Sequence, residues 1–245
     1  MKRILVAGVA LAALCSAPAF AADIPVKGPV YKAAVAPLWH WTGCYVGIAG
    51  GYAWGKSDHR NAPAGSITGG AFDVNGGIFG GTLGCNYQFA PVWVIGIEGD
   101  FSWSGKKGSA ADVPPFNPAF TSETREKWLS TLRARLGLKV GAQNQGLLYV
   151  TGGLAIADVE IHVFGPGFNA TESKTRTGGT VGLGLEWAIT GPPPPLPWWS
   201  VKFEYLYVAF NNKDYFNPPP AGFVNRAAGV TLNDHILRVG LNAHF

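Results

Sequence analysis

The chain has 245 residues, 19 Lys and Arg against 15 Asp and Glu, and a formal net charge of +4. Its 34 Gly, 18 Pro, 9 Trp, 14 Phe and 8 Tyr, beside only 14% charged residues, suit strands, tight turns and interfacial aromatic belts, and argue against an ordinary soluble enzyme. The lysines and arginines are dispersed with no basic aromatic platform, which excludes nucleic acid as an expected partner.

Residues 1–21 read as a cleaved signal peptide. Lys2 and Arg3 form a positive start, Ile4 to Cys15 an apolar stretch, and Ala19-Phe20-Ala21 offers small residues where a signal peptidase cuts. A lipidated Cys15 is not expected, because Leu14 stands where a small residue is needed. Residues 22–40 hold three prolines without periodicity and read as an extended periplasmic leader. Beyond the signal, the longest mostly apolar run, Leu147 to Ala157, falls short of the roughly 20 residues of a spanning helix.

From Trp41 to Phe245 the sequence predicts an all-β domain. Segments that alternate apolar and polar residues fall near 41–54, 77–89, 92–104, 128–140, 147–158, 176–189, 198–210 and 233–245. Long connections (55–76, 105–127, 159–175 and 211–232) alternate with short ones (90–91, 141–146 and 191–197). That order predicts an eight-stranded antiparallel up-and-down barrel of the outer membrane, with four long loops outside and both termini in the periplasm. Sixteen strands in the 224 residues left after the signal would leave about 14 each, too few for roughly 9–11 spanning residues plus these connections.

The two faces separate cleanly. In the last strand Leu237, Val239, Leu241, Ala243 and Phe245 are expected to face lipid, with Arg238, Gly240, Asn242 and His244 inside. The same parity places Glu98, Asp100, Arg133, Arg135, Lys139, Glu186, Lys202, Glu204 and Arg238 in the lumen. Eight strands enclose a space that side chains fill, and buried charges must be paired. The mixed signs therefore point to an ion-pair plug; the alternative is a polar, water-filled lumen, the lining of a small diffusion porin. Tyr52, Trp54, Trp103, Trp128 and Tyr207 are expected in an outer aromatic girdle, and Trp41, Tyr87, Phe89, Trp93, Trp187, Trp199 and Phe245 in a periplasmic one. Cys44 and Cys85 share the outward parity at one end of an antiparallel pair, which predicts a cross-strand disulfide, two buried free thiols being the alternative.

These segments carry a resemblance. WTGCYVGIAGGYAWG at 41–55, GGIFGGTLGCNYQF at 76–89, LLYVTGGLAIADV at 147–159 and the terminal LRVGLNAHF are similar to the alphaproteobacterial outer-membrane surface antigens, a porin-family group related to the OmpA-like barrel. The resemblance implies an abundant, immunogenic barrel important for envelope integrity, with porin activity or haem binding in some members and no catalytic residues. It also implies that the terminal aromatic Phe245, with Leu241, is the signal read by the outer-membrane assembly machinery. No peptidoglycan-binding domain is expected after Phe245, in contrast to full-length OmpA proteins.

Candidate chemistry is sparse, and no cofactor is expected. His59 and His162 are placed in or beside external loops, where they are weighed as haem or metal ligands against solvated imidazoles. Ser57, Asp58 and His59 are consecutive in one loop, an unpromising arrangement for a lipid-modifying triad. Asp73 to Gly76 lacks most ligands of a calcium loop and reads as a turn opening the second strand, while Asn169-Ala170-Thr171 is a chance sequon. Lys56, Arg60, Lys106, Lys107, Lys174, Arg176, Lys213 and Arg226 are expected in loops, available to the anionic groups of lipopolysaccharide. Any other extracellular ligand is left open by the sequence.

Overall fold

The computed structural model describes residues 39–61, 67–112, 117–189, 198–216 and 228–245. The expected signal peptide, most of the leader and Arg226 lie outside them. The strands are β1 (Gly43–Asn61), β2 (Ile67–Gln88), β3 (Trp93–Ser104), β4 (Lys107–Ala111), β5 (Thr121–Val140), β6 (Gly146–Gly165), β7 (Phe168–Ala188), β8 (Trp198–Phe210), β9 (Lys213–Tyr215) and β10 (Ala228–His244). Successive long strands pair antiparallel, and β10 closes on β1 from Tyr45↔His244 to Asn61↔Ala228. Short β4 continues the wall above β3 by pairing with β5, and β9 continues it above β8 by pairing with β10. The result is an eight-stranded antiparallel barrel without a free edge along its lower wall. Below, "lower" means the end that carries Gly43 and Phe245.

The strands outrun the expected ones, which corrects the long-loop reading. Most of 55–76 belongs to β1 and β2, and Asp73 to Gly76 lies inside β2 rather than in a turn. Residues 159–175 form a paired hairpin from Val159↔Lys174 to Gly165↔Phe168. It reverses at Pro166-Gly167, where proline pre-sets the first turn residue and Gly167 takes φ +71°, which a side chain would strain.

The physical reason is that the wall changes character partway up. Below a row running through Trp54, Trp103 and Tyr207, outward side chains such as Ile48, Leu83, Ile97, Leu132, Leu154, Val181, Phe203 and Leu237 are exposed and apolar. Above it, the outward positions carry Lys56, Asp73, Arg125, Lys127, Asp158 and Glu160. The inward positions instead become apolar: Val159, Ile161, Val163, Leu232, Val230 and Tyr215 are buried in one cluster. The alternation thus inverts its sign at the girdle. A register shift between Glu126 and Trp128 breaks it further in β5.

Candidate functional site: the filled lumen

In the lower half the inward charges meet across the barrel. Lys202 on β8 reaches Glu98 on β3, four places round the ring, at 2.8 Å. Arg133 on β5 contacts Glu98 at 2.5 Å, Asp100 at 2.9 Å and Glu204 at 2.9 Å. Arg238 on β10 contacts Glu204 at 2.7 Å and Asp100 at 3.0 Å. Arg135 contacts Glu186 at 2.7 Å and Glu98 at 3.3 Å. Four carboxylates therefore meet four cations, all buried. This balance is what makes the burial tolerable, since an unpaired ion in such a space costs several kcal/mol.

Neutral groups complete the layer. Tyr45 donates to Glu98 at 2.5 Å, Tyr149 to Glu204 at 2.9 Å and Thr131 to Asp100 at 2.5 Å. Ser200 and Asn242 donate to Glu186 at 2.5 and 2.7 Å. The guanidinium of Arg135 lies 3.9 Å from the ring centroid of Tyr149 and 5.7 Å from that of Tyr45, an added cation–π attraction. Both tyrosines need a glycine beside them. Tyr45 pairs with Gly84 and Tyr149 with Gly184, where an added Cβ would stand 2.3 and 2.4 Å from the tyrosine oxygens. Sequence parity places the charges and Asn242 inside, but does not single out these neutral groups as their partners. Their only signal was that Tyr45, Tyr149, Ser200 and Asn242 fall on inward positions.

Two expected residues are placed differently. Lys139 faces inward but makes no ion pair among the described residues. The oxygens of Glu186 are taken by Arg135, Ser200, Asn242 and His244, and Leu147 separates Lys139 from them along the paired row. Trp41 is not in the girdle: it is wholly buried in the lower mouth with Val94, Leu147, Tyr149 and Ala188. It precedes β1, so strand parity does not govern it.

A separate buried triad carries no signal in the sequence. Lys106, expected in a loop, contacts Glu126 at 2.9 Å and also pairs with Asp234, at the level where the wall changes character. Arg176, expected at the surface, is buried and donates to the backbone oxygens of Asn211 (2.8 Å) and Val230. Neither is available to an external anion. Lys174 turns toward Asp214 O at 2.7 Å, whereas Lys56, Lys107 and Lys213 are exposed.

Ser57, Asp58 and His59 lie in β1 rather than in a loop. Ser57 and His59 are buried, 3.0 Å apart, and both contact Thr124, while strand alternation turns Asp58 to the other face. Burial holds the His59 imidazole down at about 4. His162 faces outward and bonds Asn169 at 2.8 Å, so the wall separates it from His59. Among the described residues no group of three or more His, Cys, Asp or Glu is arranged to hold a metal.

Along the outer surface, Trp54 and Trp103 mark the upper border with half-buried Trp128, which stacks near Phe101 at 5.7 Å. Trp93, Trp187, Trp199, Tyr87, Phe89 and Phe245 are exposed toward the lower end. Cys44 and Cys85 face each other in register and are joined as a disulfide, with Cα atoms 4.0 Å apart. Leu241 faces outward opposite Ile48, and Phe245 exchanges backbone hydrogen bonds with Cys44 at 2.9 and 3.2 Å.

A family model described as outer membrane protein beta-barrel domain matches residues 7–245. The chain is 34% identical to a 31 kDa outer-membrane immunogenic protein of Brucella melitensis over 257 aligned positions, covering 100% of both chains. It is 32% identical to a 22 kDa outer membrane protein of Rhizobium leguminosarum over 75% of this chain and 71% of that one. Among solved structures, OprG of Pseudomonas aeruginosa aligns over 86% of this chain and 99% of that chain, with 14% identity and a TM-score of 0.46. Closed antiparallel topology, an apolar outer band and a match across nearly the whole sequence agree: the chain belongs to the outer-membrane β-barrel family of the alphaproteobacterial immunogenic proteins.

Proposed function

We propose that this barrel is a closed structural element of the outer membrane that supports the envelope and displays its upper wall, with the connections at its top, to the outside. The observation that carries the reading is the ionic layer. Lys202–Glu98 and Arg238–Asp100 cross the lumen, and the remaining charges fill the space between them. A pore selective for ions would more naturally present one sign of charge. In this reading residues 1–21 are removed on export, 22–40 lie in the periplasm, and both barrel termini face that side.

The relatives' name, outer-membrane immunogenic protein, supports exposure of the upper wall to the outside. Lipid contacts the apolar band, and the exposed Lys56, Lys107 and Lys213 are, among the described residues, cations placed to meet lipopolysaccharide phosphates. Leu241 and Phe245, outward on the last strand, are the side chains offered to the assembly machinery. The reading assigns the protein no reaction: Ser57 and His59 pair where no substrate reaches them.

Planar-bilayer conductance of the purified protein tests the closed lumen. The wild type is expected to be silent, and a variant with both Arg133→Gln and Arg135→Gln to leak, because five buried ion pairs lose their cation. Steady conductance from the wild type would replace this reading with a diffusion channel lined by the same residues.

A further inference from the structure

The chain enters β1 by an unusual route. Trp39 N donates to Gln143 O at 3.0 Å, and the Trp41 indole Nε1 donates to Asn144 O at 2.9 Å. Gln143 and Asn144 belong to the turn between β5 and β6, and β6 stands four places round the ring from β1. The four steps from Trp39 to Gly43 reach about 13 Å when extended, enough to carry the chain across the mouth. At one end of this crossing, Gly43 holds φ +144°, and an added Cβ there would lie 2.8 Å from Phe245 O.

Beneath the ionic layer the crossing builds an aromatic floor. The Trp41 ring is wholly buried on Leu147 and Ala188. Trp198 stacks on His244 with centroids 3.6 Å apart and planes 4° apart, and Trp39 and Trp41 meet Trp198 edge-on at 4.5 and 5.5 Å. His244 in turn touches Ser200 at 2.8 Å and Glu186 at 3.1 Å. The floor therefore covers the lowest members of the charged network.

We propose that residues 39–42 are a strap that closes the lower mouth, hinged at Gly43 and latched on the β5–β6 turn, with Trp41 as its wedge. The strap, rather than the ion pairs above it, controls access of water and solutes to the Glu186, Ser200 and His244 layer. That this mouth faces the periplasm rests on the function proposed above; the closure itself does not. Two backbone-carbonyl bonds, edge-on ring contacts and the burial of the Trp41 ring hold the latch, and none of these belongs to the strand ladder, so it opens locally without unfolding the barrel.

A buried reporter tests the strap in the full-length protein in nanodiscs. Ala188→Cys, combined with Cys15→Ala so that the reporter is the only free thiol, is treated with a charged, membrane-impermeant thiol reagent. Labelling is expected to be at least about tenfold faster with Trp41→Ala than with Trp41 present, the factor that ~1.4 kcal/mol of lost closure produces. Trp41→Phe, which keeps a ring but drops the bond to Asn144, is expected to fall between. Equal labelling rates with and without the Trp41 ring would overturn the strap. Heat-dependent electrophoretic migration verifies that each variant is folded, and Leu147→Cys replaces the reporter if Ala188→Cys does not fold. Bilayer conductance separates the two proposals: Trp41→Ala is expected to stay silent because the ionic layer remains, while a conducting wild type would strike the closed-lumen reading and leave the labelling result standing.

Discussion

The lower and upper halves of this barrel share one backbone ladder and are built on opposite rules. Below the Trp54–Trp103–Tyr207 row, apolar side chains face outward and ions face inward. Above it, ions face outward and an apolar cluster fills the inside. The solvent outside explains both. In lipid an outward charge is costly, so the charged residues are confined to the interior, where only mutual pairing makes them tolerable. In water the ordinary hydrophobic drive buries Val159, Ile161 and Leu232 instead. The Lys106, Glu126 and Asp234 triad sits at the changeover. A barrel wall is thus indifferent to its side chains so long as one face suits the solvent and the other packs.

The comparison is broken most severely at the ionic layer. Arg133→Met strips Glu98, Asp100 and Glu204 of a shared cation, and is expected to cost about 3–5 kcal/mol in urea unfolding from lipid vesicles. Next comes the outer face. Leu154→Arg, in the lipid band, is expected to cost about 2–4 kcal/mol, whereas Thr175→Arg, exposed on the upper wall, should stay within about 0.5 kcal/mol. Equal costs in those two unfolding titrations would erase the distinction between the halves.

His59 sharpens it through pH. Its folded value near 4 lies below the ordinary histidine value of 6.5, so the unfolded chain binds the proton first. Stability contributed by neutral His59 is complete above pH 6.5 and is lost as pH falls from 6.5 toward 4, by up to about 3 kcal/mol. Unfolding midpoints at pH 7.5 and 4.5 should therefore differ less for His59→Gln than for the wild type. The smallest expected effect is Ile161→Val in the upper cluster, about 0.5–1.5 kcal/mol by the same titration.

What the sequence made legible follows the same divide. Strand number, faces and the lower charged set were readable because lipid outside and ions inside give a strong period of two. The upper strands read as loops in the sequence because Lys56, Ser57, Asp58 and His59 are polar on both faces of β1, and because Glu126 and Trp128 straddle a register shift. Even the well-patterned Val159 to Val163 does not read as a continuation of a lipid-facing strand, since its apolar residues point the other way. Lys139 and Trp41 were misplaced for another reason. Parity reports which side of the wall a strand residue occupies, not whether a carboxylate remains within reach, nor where a residue ahead of the strand will cross.

The most direct measurement is the depth of single spin labels on β6, at Leu154→Cys and Glu160→Cys, in the protein reconstituted in bilayers with the Cys44–Cys85 disulfide intact. Relaxation by oxygen, which concentrates in lipid, and by a water-soluble nickel chelate separates the two environments. The account predicts an oxygen-dominated label at 154 and a chelate-dominated label at 160, six residues along one continuous strand. Oxygen dominance at both positions would place the upper wall in the membrane and contradict the two-solvent barrel.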